Sequence, residues 1–530
     1  MTSSSFTAHG QLLAGSRRRA CCPEGMPPVA DQFRPARPNQ FSSTMRRPTE
    51  HSLTLSPRAP GVTLQQWLYA ALCEAMRDGT LQPGSRLPTT RSLARDHGVS
   101  RSTVTAVFEQ LLADGYISAR VGRGSFVAPG LARQAAEPAP RRPAPEAFLS
   151  RRGRQLVDEG AGVLSRHGPL PRTFEADRID TSLFPAAVWA RLAARRARWY
   201  EGQVMAEPQW QGLSALRQTL ADQLALSRGL RCDAGQIVIV SGTRQATDLL
   251  ARLLVNPGEP VWLEDPGSHA LQAVLAAAGA QVVPVPADDE GLAVDAGLRV
   301  APRARLACVT AGAQMPLGQP MSTARRQALL AWAQASGAYV LDKDLAGDLH
   351  FDGSGGDALK AADTGDCVIH LGSLAFSMAP CKRLAYVVLP HRLVDPFCKA
   401  LTLTQGQPSL LEQAVLNDFM ADGHWARHVR QLRAVYGFRA DVLRHHLDRH
   451  FGRWLEMPPV QRGLNMTVRL PAATRDADIA ARAAAAGVSV TPLSAYALQH
   501  AAPPGLRLGF AAFSEVSIRD GVMQLARAVG

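Results

Sequence analysis

The rhythm of apolar and polar positions changes three times along the chain. Residues 1–58 show no period and are rich in Ser, Pro and Arg, the composition of a disordered tail. Met45, just before Arg46-Arg47, is a candidate for the true start. From residue 60 the rhythm is helical. Leu64, Leu68, Ala71, Leu72 and Met76 recur at spacings of three and four and stop at Asp78-Gly79, which predicts a first helix. After a Pro83-Gly84 loop, Thr90 is placed to cap a short helix running to His97-Gly98. Ser100 is placed to cap a longer one with Val104, Val107, Phe108, Leu111 and Leu112 on its apolar face. Tyr116–Val127 reads as two short strands around Gly122-Arg123-Gly124. Three helices and a hairpin over residues 60–128 predict a winged helix-turn-helix.

Residues 129–172 carry AEPAPRRPAPEAF and SRRGRQ, a Pro- and Arg-rich linker with little apolar content. Beyond it, over 173–530, short apolar runs alternate with helical patterns. The runs are Gln236–Ser241, Val261–Glu264, Leu306–Thr310, Tyr339–Leu341, Val368–Leu371 and Leu384–Leu389. This alternation predicts a mostly parallel α/β sheet with helices on both faces. One long helical stretch is expected from about Ser409 to Phe451. A smaller α+β subdomain follows at about 455–530, with strands at Asn465–Leu470 and Leu506–Phe510 and helices at Ala477–Ala486 and Ile518–Val529.

Charge adds a second layer. The 530 residues carry 58 Lys plus Arg against 45 Asp plus Glu, a net +13. Residues 1–150 hold 18 Arg and 10 acids, so the first quarter is basic and suits a polyanion. Four cations are lysines, namely Lys343, Lys360, Lys382 and Lys399, and any chemistry that needs a lysine amine must use one of them. Lys360 and Lys399 fall in surface-like helical stretches. No apolar run reaches the ~20 residues of a membrane span. The eight cysteines form no CxxC pair, which argues against a disulfide framework and a zinc site. A soluble cytoplasmic protein is expected, with neither metal nor membrane partner. Trp210, Trp425 and Trp454 are expected in core or interface.

The helix opening Ser100-Arg101-Ser102-Thr103 carries hydroxyls and an Arg at its N-terminus, a combination suited to phosphate and guanine in the major groove. Gly122 and Arg123 at the hairpin tip suit a close approach to a duplex. Arg86 and Arg91 are further phosphate candidates. The net charge of residues 60–128 is only +2, so charge alone leaves a protein-interaction module open. The segment LYAALCEAMRDGTLQPGSRLPTTRSLARDHGVSRSTVTAVFEQLLADGYISARVGRGSFVAP resembles the GntR-type winged helix throughout, which implies binding to a double-stranded DNA operator.

The remainder resembles a fold-type I aminotransferase in SLFPAAVWARL, QIVIVSGTRQATDLLARLL, VWLEDPGSHA, VTAGAQMPLGQPMS, HLGSLAFSMAPCKRLAYVVLP, VSVTPLSAYAL and GLRLGFA. Head, linker and large domain together look like the MocR branch of GntR regulators. That resemblance implies a homodimer and a pyridoxal 5′-phosphate site. On the phosphate side it implies Gly242, Thr243 and Arg244 at a helix start, with Arg383. Arg507 falls where the family binds a carboxylate, and Gln314 near the cofactor's ring oxygen. On the reactive side the chain departs from the family. Phe376 stands at the aldimine lysine, Lys343 at the pyridine aspartate, Leu345 at the ring-oxygen tyrosine and Ser268 at the stacking tyrosine. Asp177 replaces an early glycine. A structural ion pair of Lys343 with Asp342 or Asp344, or a solvent-facing side chain, is the plain reading of that lysine.

Three functions therefore remain open. The first is a regulator with a non-catalytic aminotransferase-like domain that dimerises and senses a small anionic effector at Arg383 and Arg507, or serves only to dimerise. The second is a regulator that still binds pyridoxal phosphate, non-covalently or through a displaced lysine. The third is an active aminotransferase.

Overall fold

The computed structural model describes residues 53, 55–120, 122–129, 149–163, 172–198, 209–351, 356–378, 383–404, 406–460 and 462–530. The chain divides into two units, Met1–Glu146 and Ala147–Gly530.

In the first unit, α1 (Leu64–Arg77), α2 (Thr90–Asp96) and α3 (Arg101–Ala113) precede the antiparallel hairpin of β1 (Ile117–Arg120) and β2 (Gly124–Val127). Each helix starts where a hydroxyl can accept an otherwise orphaned N–H. Thr63 caps α1 in a capping box with Gln66, and Ser100 caps α3. The cap of α2 is Thr89, one residue before the expected Thr90, because Thr90 is already helical. Leu68, Leu72, Leu93, Val104, Val107 and Leu111 fill the core. Residues 84–87 run along the hairpin, with Leu87 N donating to Ser125 O and Val127 N to Ser85 O, both at 2.9 Å. Residues 53 and 55–58, expected in the tail, are among the described residues of this unit. Leu53 and Leu55 pack on this core, and Trp67 Nε1 donates to Ser56 O at 2.7 Å. Of the expected tail, residues 1–52 and 54 lie outside the described residues.

The second unit opens with α4 (Arg151–Val163), α5 (Ala186–Arg198) and α6 (Ser214–Arg228). There follow β3 (Ile237–Val240), α7 (Thr243–Leu254), β4 (Pro260–Asp265), α8 (His269–Ala278), β5 (Gln281–Asp288) and β6 (Gly291–Leu292). Next come α9 (Val294–Val300), β7 (Leu306–Val309), α10 (Thr323–Ser336), β8 (Tyr339–Asp344), β9 (Val368–Ser373) and β10 (Ala385–Val388). After α11 (His391–Thr404), α12 (Leu410–Ala421) and α13 (His424–Phe451), the small subdomain comprises β11 (Asn465–Arg469), α14 (Asp476–Ala485), β12 (Thr491–Pro492), β13 (Gly505–Gly509) and α15 (Glu515–Val529).

Eight strands form one sheet in the order β3-β10-β9-β8-β7-β4-β5-β6. Strands β5, β4, β7, β8 and β9 run parallel, while β10 is antiparallel to both its neighbours. Both faces are covered, as the continuous apolar runs require. In β3, Val238 and Val240 join the core beside α7, and Ile237 and Ile239 join the opposite core beside α6 and α12. The small subdomain is a three-stranded antiparallel sheet in the order β11-β13-β12, with α14 and α15.

Several expectations are corrected. The helical stretch from Ser409 to Phe451 is two helices, broken at Gly423, whose φ of 75° is left-handed. Part of the expected linker is helical, since α4 spans Arg151–Val163 and packs against α8. The Lys360 side chain is 8% exposed, donating to Val368 O at 2.8 Å, so it is no surface lysine. Of the tryptophans expected in core or interface, Trp425 is in the core, whereas Trp210 is 54% exposed in the single chain and so is not a core residue.

Candidate functional site

In the winged-helix unit Arg86, Arg91, Ser100, Arg101, Ser102, Gly122 and Arg123 are exposed and Thr103 is half-buried. Ser100 Oγ accepts from Thr103 N at 3.0 Å and lies 2.8 Å from Ser102 Oγ and 2.7 Å from Thr103 Oγ1, so the hydroxyls cluster at the start of α3. Arg101, Arg91, Arg86 and Arg123 are exposed, and none pairs with a carboxylate among the described residues. At the hairpin tip Gly122 and Gly124 have φ of 73° and 99°. A Cβ on Gly124 would lie 3.1 Å from Arg86 Nε, so the glycine is what lets the guanidinium rest against the wing. Exposed cations without a carboxylate partner among the described residues, small hydroxyls and a helix N-terminus are groups of the kind that bind phosphate.

In the second unit the candidate residues other than Gly242 and Arg383 line two cavities, several of them from segments that follow strands of the large sheet, the usual ligand position in an open α/β sheet. Two adjoining cavities, of about 80 and 150 Å³, share Met315, Lys343 and Leu345. Asp177, Gln314, Phe376 and Arg507 also line the first. Thr243, Arg244 and Ser268 also line the second.

Strand β8 builds the wall between them. Its residues alternate between duties, as a strand requires. Asp342 is buried, accepting from Ala311 N at 3.2 Å and Leu359 N at 3.3 Å, with His370 Nδ1 at 3.7 Å. Asp344 is held by the buried guanidinium of Arg228. Burial acts against the Arg228 charge, but Asp344 more than restores it. Lys343, between them, faces the cavities and is half-buried. The expected ion pair with Asp342 or Asp344 is not formed, because both carboxylates are committed elsewhere. Burial pushes the Lys343 ammonium below its ordinary range, while Cys308 and Glu264 oppose that shift.

The other residues have defined local duties. Gln314 is buried and spends its amide on the loop, with Nε2 donating to Pro266 O at 2.8 Å and Oε1 accepting from Leu317 N at 2.9 Å. Ser268 caps α8, its Oγ accepting from Leu271 N at 3.2 Å. Gly242, with φ of 116°, starts α7, and a Cβ there would lie 3.6 Å from Arg383 O. The Arg383 side chain is exposed and lines neither cavity. Phe376 follows β9 in a turn and packs partly against the small-subdomain core. Of the four lysines, Lys382 lies outside the described residues and Lys399 pairs with Asp395 at 2.7 Å. Lys343 alone among the described lysines reaches the cavities.

Arg507, on β13, is 6% exposed. Its Nη2 lies 2.7 Å from Asp177 Oδ1, and its Nη1 lies 2.9 Å from Asp177 Oδ2 and 3.0 Å from the Tyr496 hydroxyl. Burial works against its charge, but Asp177 and Tyr496 hold the guanidinium above its ordinary range. Sequence reasoning noted Asp177 only as a departure from a pattern. It missed Arg228 and Asn465, which carry no motif, and Tyr496, which lies in the quoted VSVTPLSAYAL segment but was given no role there.

A winged helix joined in one chain to an aminotransferase-type fold defines the class. The chain matches the family Bacterial regulatory proteins, gntR family, over residues 64–127 and the family Aminotransferase class I and II over residues 183–525. It is 33% identical over 473 residues to the probable rhizopine catabolism regulatory protein MocR of Rhizobium meliloti, covering 89% of this chain and 94% of that one. It is 28% identical to the pyridoxine biosynthesis transcriptional regulator PdxR of Corynebacterium glutamicum, covering 90% and 98%. In fold, the large unit is similar to the kynurenine aminotransferase of Pyrococcus horikoshii, with a TM-score of 0.62 and 23% identity over 72% of this chain and 95% of that one. An archaeal alanine:glyoxylate aminotransferase gives a TM-score of 0.63 at 24% identity, over 72% and 97%. The chain belongs to the MocR-type regulators, GntR-family proteins that carry an aminotransferase class I and II domain.

Proposed function

We propose that this chain is a cytoplasmic, operator-binding transcription regulator whose aminotransferase-like domain pairs two copies and senses a small anionic molecule without transaminating it. The observation that carries this reading is the make-up of one cleft wall. Phe376 has no amine to form an imine. Lys343 is a cation where a protonated pyridine nitrogen needs a carboxylate. Leu345 offers no hydroxyl, and Ser268 offers no ring to stack. Such a donor set does not fit pyridoxal phosphate held as an imine at position 376. Thr243 and Arg244 at the start of α7, with Lys343, remain as groups for an anion.

In this reading α3 enters the major groove, with Arg101 on base edges and Arg86, Arg91 and Arg123 on phosphates. Pairing of two copies gives each head a half-site. A ligand that binds one arrangement of the two subdomains better than another shifts how the heads are presented.

A second reading is favoured by one observation: Lys343 reaches both cavities, and its ammonium has neither ion pair nor hydrogen bond among the described residues. It is the residue on which a displaced imine would form. One experiment separates the two. Purified protein is mixed with pyridoxal phosphate, scanned for imine absorbance, reduced with borohydride and digested. The proposal expects no pyridoxyl-labelled lysine. A single labelled peptide containing Lys343 establishes the second reading instead.

A further inference from the structure

Arg507 is a guanidinium at the wall of a cavity, and a planar fork of N–H donors is a carboxylate receptor by its chemistry. The receptor is filled from within the chain. Asp177 lies on the segment preceding α5, and its carboxylate makes the two-pronged pair with Arg507. Asn465 completes the clamp. Its Nδ2 donates to Asp177 Oδ1 at 3.0 Å, and its Oδ1 accepts from Asp177 N at 2.9 Å. The guanidinium side of the pair is 8% exposed and the carboxylate side 42%, so Asp177 stands between Arg507 and solvent.

The backbone gives an independent sign that Asp177 is there for its side chain. Its φ is 62°, a left-handed conformation that glycine adopts freely and other residues adopt at a cost. A glycine would satisfy the turn but leave Arg507 a buried cation with only the Tyr496 hydroxyl. The chain accepts the unfavourable backbone and gains a carboxylate at the receptor.

We propose that Asp177 is a built-in carboxylate ligand of Arg507 that closes this end of the cleft to carboxylate-bearing molecules. Amino acids and oxo acids cannot seat there, since a tethered carboxylate outcompetes a free one through its effective concentration. The ligand class left to the cleft is one whose anionic group binds away from Arg507. That narrowing rests on the reading of the cleft as an effector site; the closure itself does not.

The test is calorimetric titration of maleate, a small dicarboxylate, into the full-length wild type, Asp177→Gly and the double variant Asp177→Gly/Arg507→Gln. Glycine suits the observed φ, so the fold is expected to hold. The wild type is expected to show no binding that depends on Arg507, Asp177→Gly to bind at least about tenfold more tightly, and the double variant to lose that gain. Asp177→Asn, which keeps the size of the side chain but removes its charge, is expected to show a smaller gain and serves if the glycine variant fails to fold. Wild-type binding of maleate that Arg507→Gln abolishes overturns the proposal. So does a folded Asp177→Gly that remains blind to maleate, or a gain that survives loss of Arg507. Failure of the wider functional reading has a different signature, the borohydride-trapped lysine, so the two are told apart.

Discussion

Arg228 and Asp344 form an ion pair within the wall of the cleft, their side chains 3% and 10% exposed. The pair ties the end of α6 to the end of β8, so the residue after Lys343 is occupied by a cation from another element. It also contributes to the setting of Asp348, whose carboxyl burial and the Asp344 charge push up to about 6, with Arg228 opposing.

Removing one partner of such a pair leaves the other charge uncompensated. Arg228→Met is expected to destabilise the second unit by about 3–5 kcal/mol. Thermal or urea unfolding checks this. Asp344→Asn, which keeps a hydrogen-bond acceptor for Arg228, is expected to cost less. Equal stability of wild type and Arg228→Met would show the pair to be solvent-screened.

Glu264 gives a pH prediction. It is buried, with Oε2 accepting from Thr310 N at 3.1 Å and Oγ1 at 2.6 Å, and burial pushes its carboxyl up to about 7 from 4.5. Between those values the folded protein binds more protons than the unfolded chain. Its contribution to stability is therefore full below the unfolded value and is lost as pH rises toward 7. Glu264→Gln keeps the acceptor and cannot titrate. It is expected to match the wild type near about pH 5 and to exceed it by up to roughly 3 kcal/mol near about pH 8. Parallel unfolding curves across that range read the difference.

The start of α3 gives a prediction about recognition. Arg101→Ala is expected to weaken specific operator binding by about tenfold or more, since a base-edge contact is worth about 1–3 kcal/mol. Arg133→Ala, in a segment outside the described residues, is expected to weaken specific and non-specific binding alike and only slightly. Gel shifts at fixed salt compare them, and equal losses would remove the recognition-helix assignment.

The wing gives another. Gly124→Ala adds a Cβ at φ 99° and 3.1 Å from Arg86 Nε. It is expected to displace Arg86 and strain the turn, reducing DNA affinity several-fold while α1–α3 stay folded. Circular dichroism and fluorescence anisotropy measure the two effects separately.

Several details of the fold were legible in the residue pattern because their causes are local. The Ser100 cap and the β1–β2 turn need only a hydroxyl before an apolar period and glycines at positive φ. Other details were hidden. The break at Gly423 sits inside a continuous helical pattern, and its left-handed φ is invisible in the sequence. Helix α11 contains Pro396, which obscures its period. Helix α4 has so polar a composition that it read as linker, and its packing on α8 is a tertiary contact.

The sequence by itself determined the class: a winged helix followed by an aminotransferase-type domain, with four lysines and a phenylalanine at position 376. Those are statements about which residues exist, and one-dimensional patterns carry them. Only the tertiary structure decided what each charge does. Asp344 is held by Arg228, 116 positions away, and Arg507 by Asp177, 330 positions away. Lys343 is left facing the cavities for the same reason. Charge pairing depends on distances in space, and those distances are set by the packing of elements far apart in the chain.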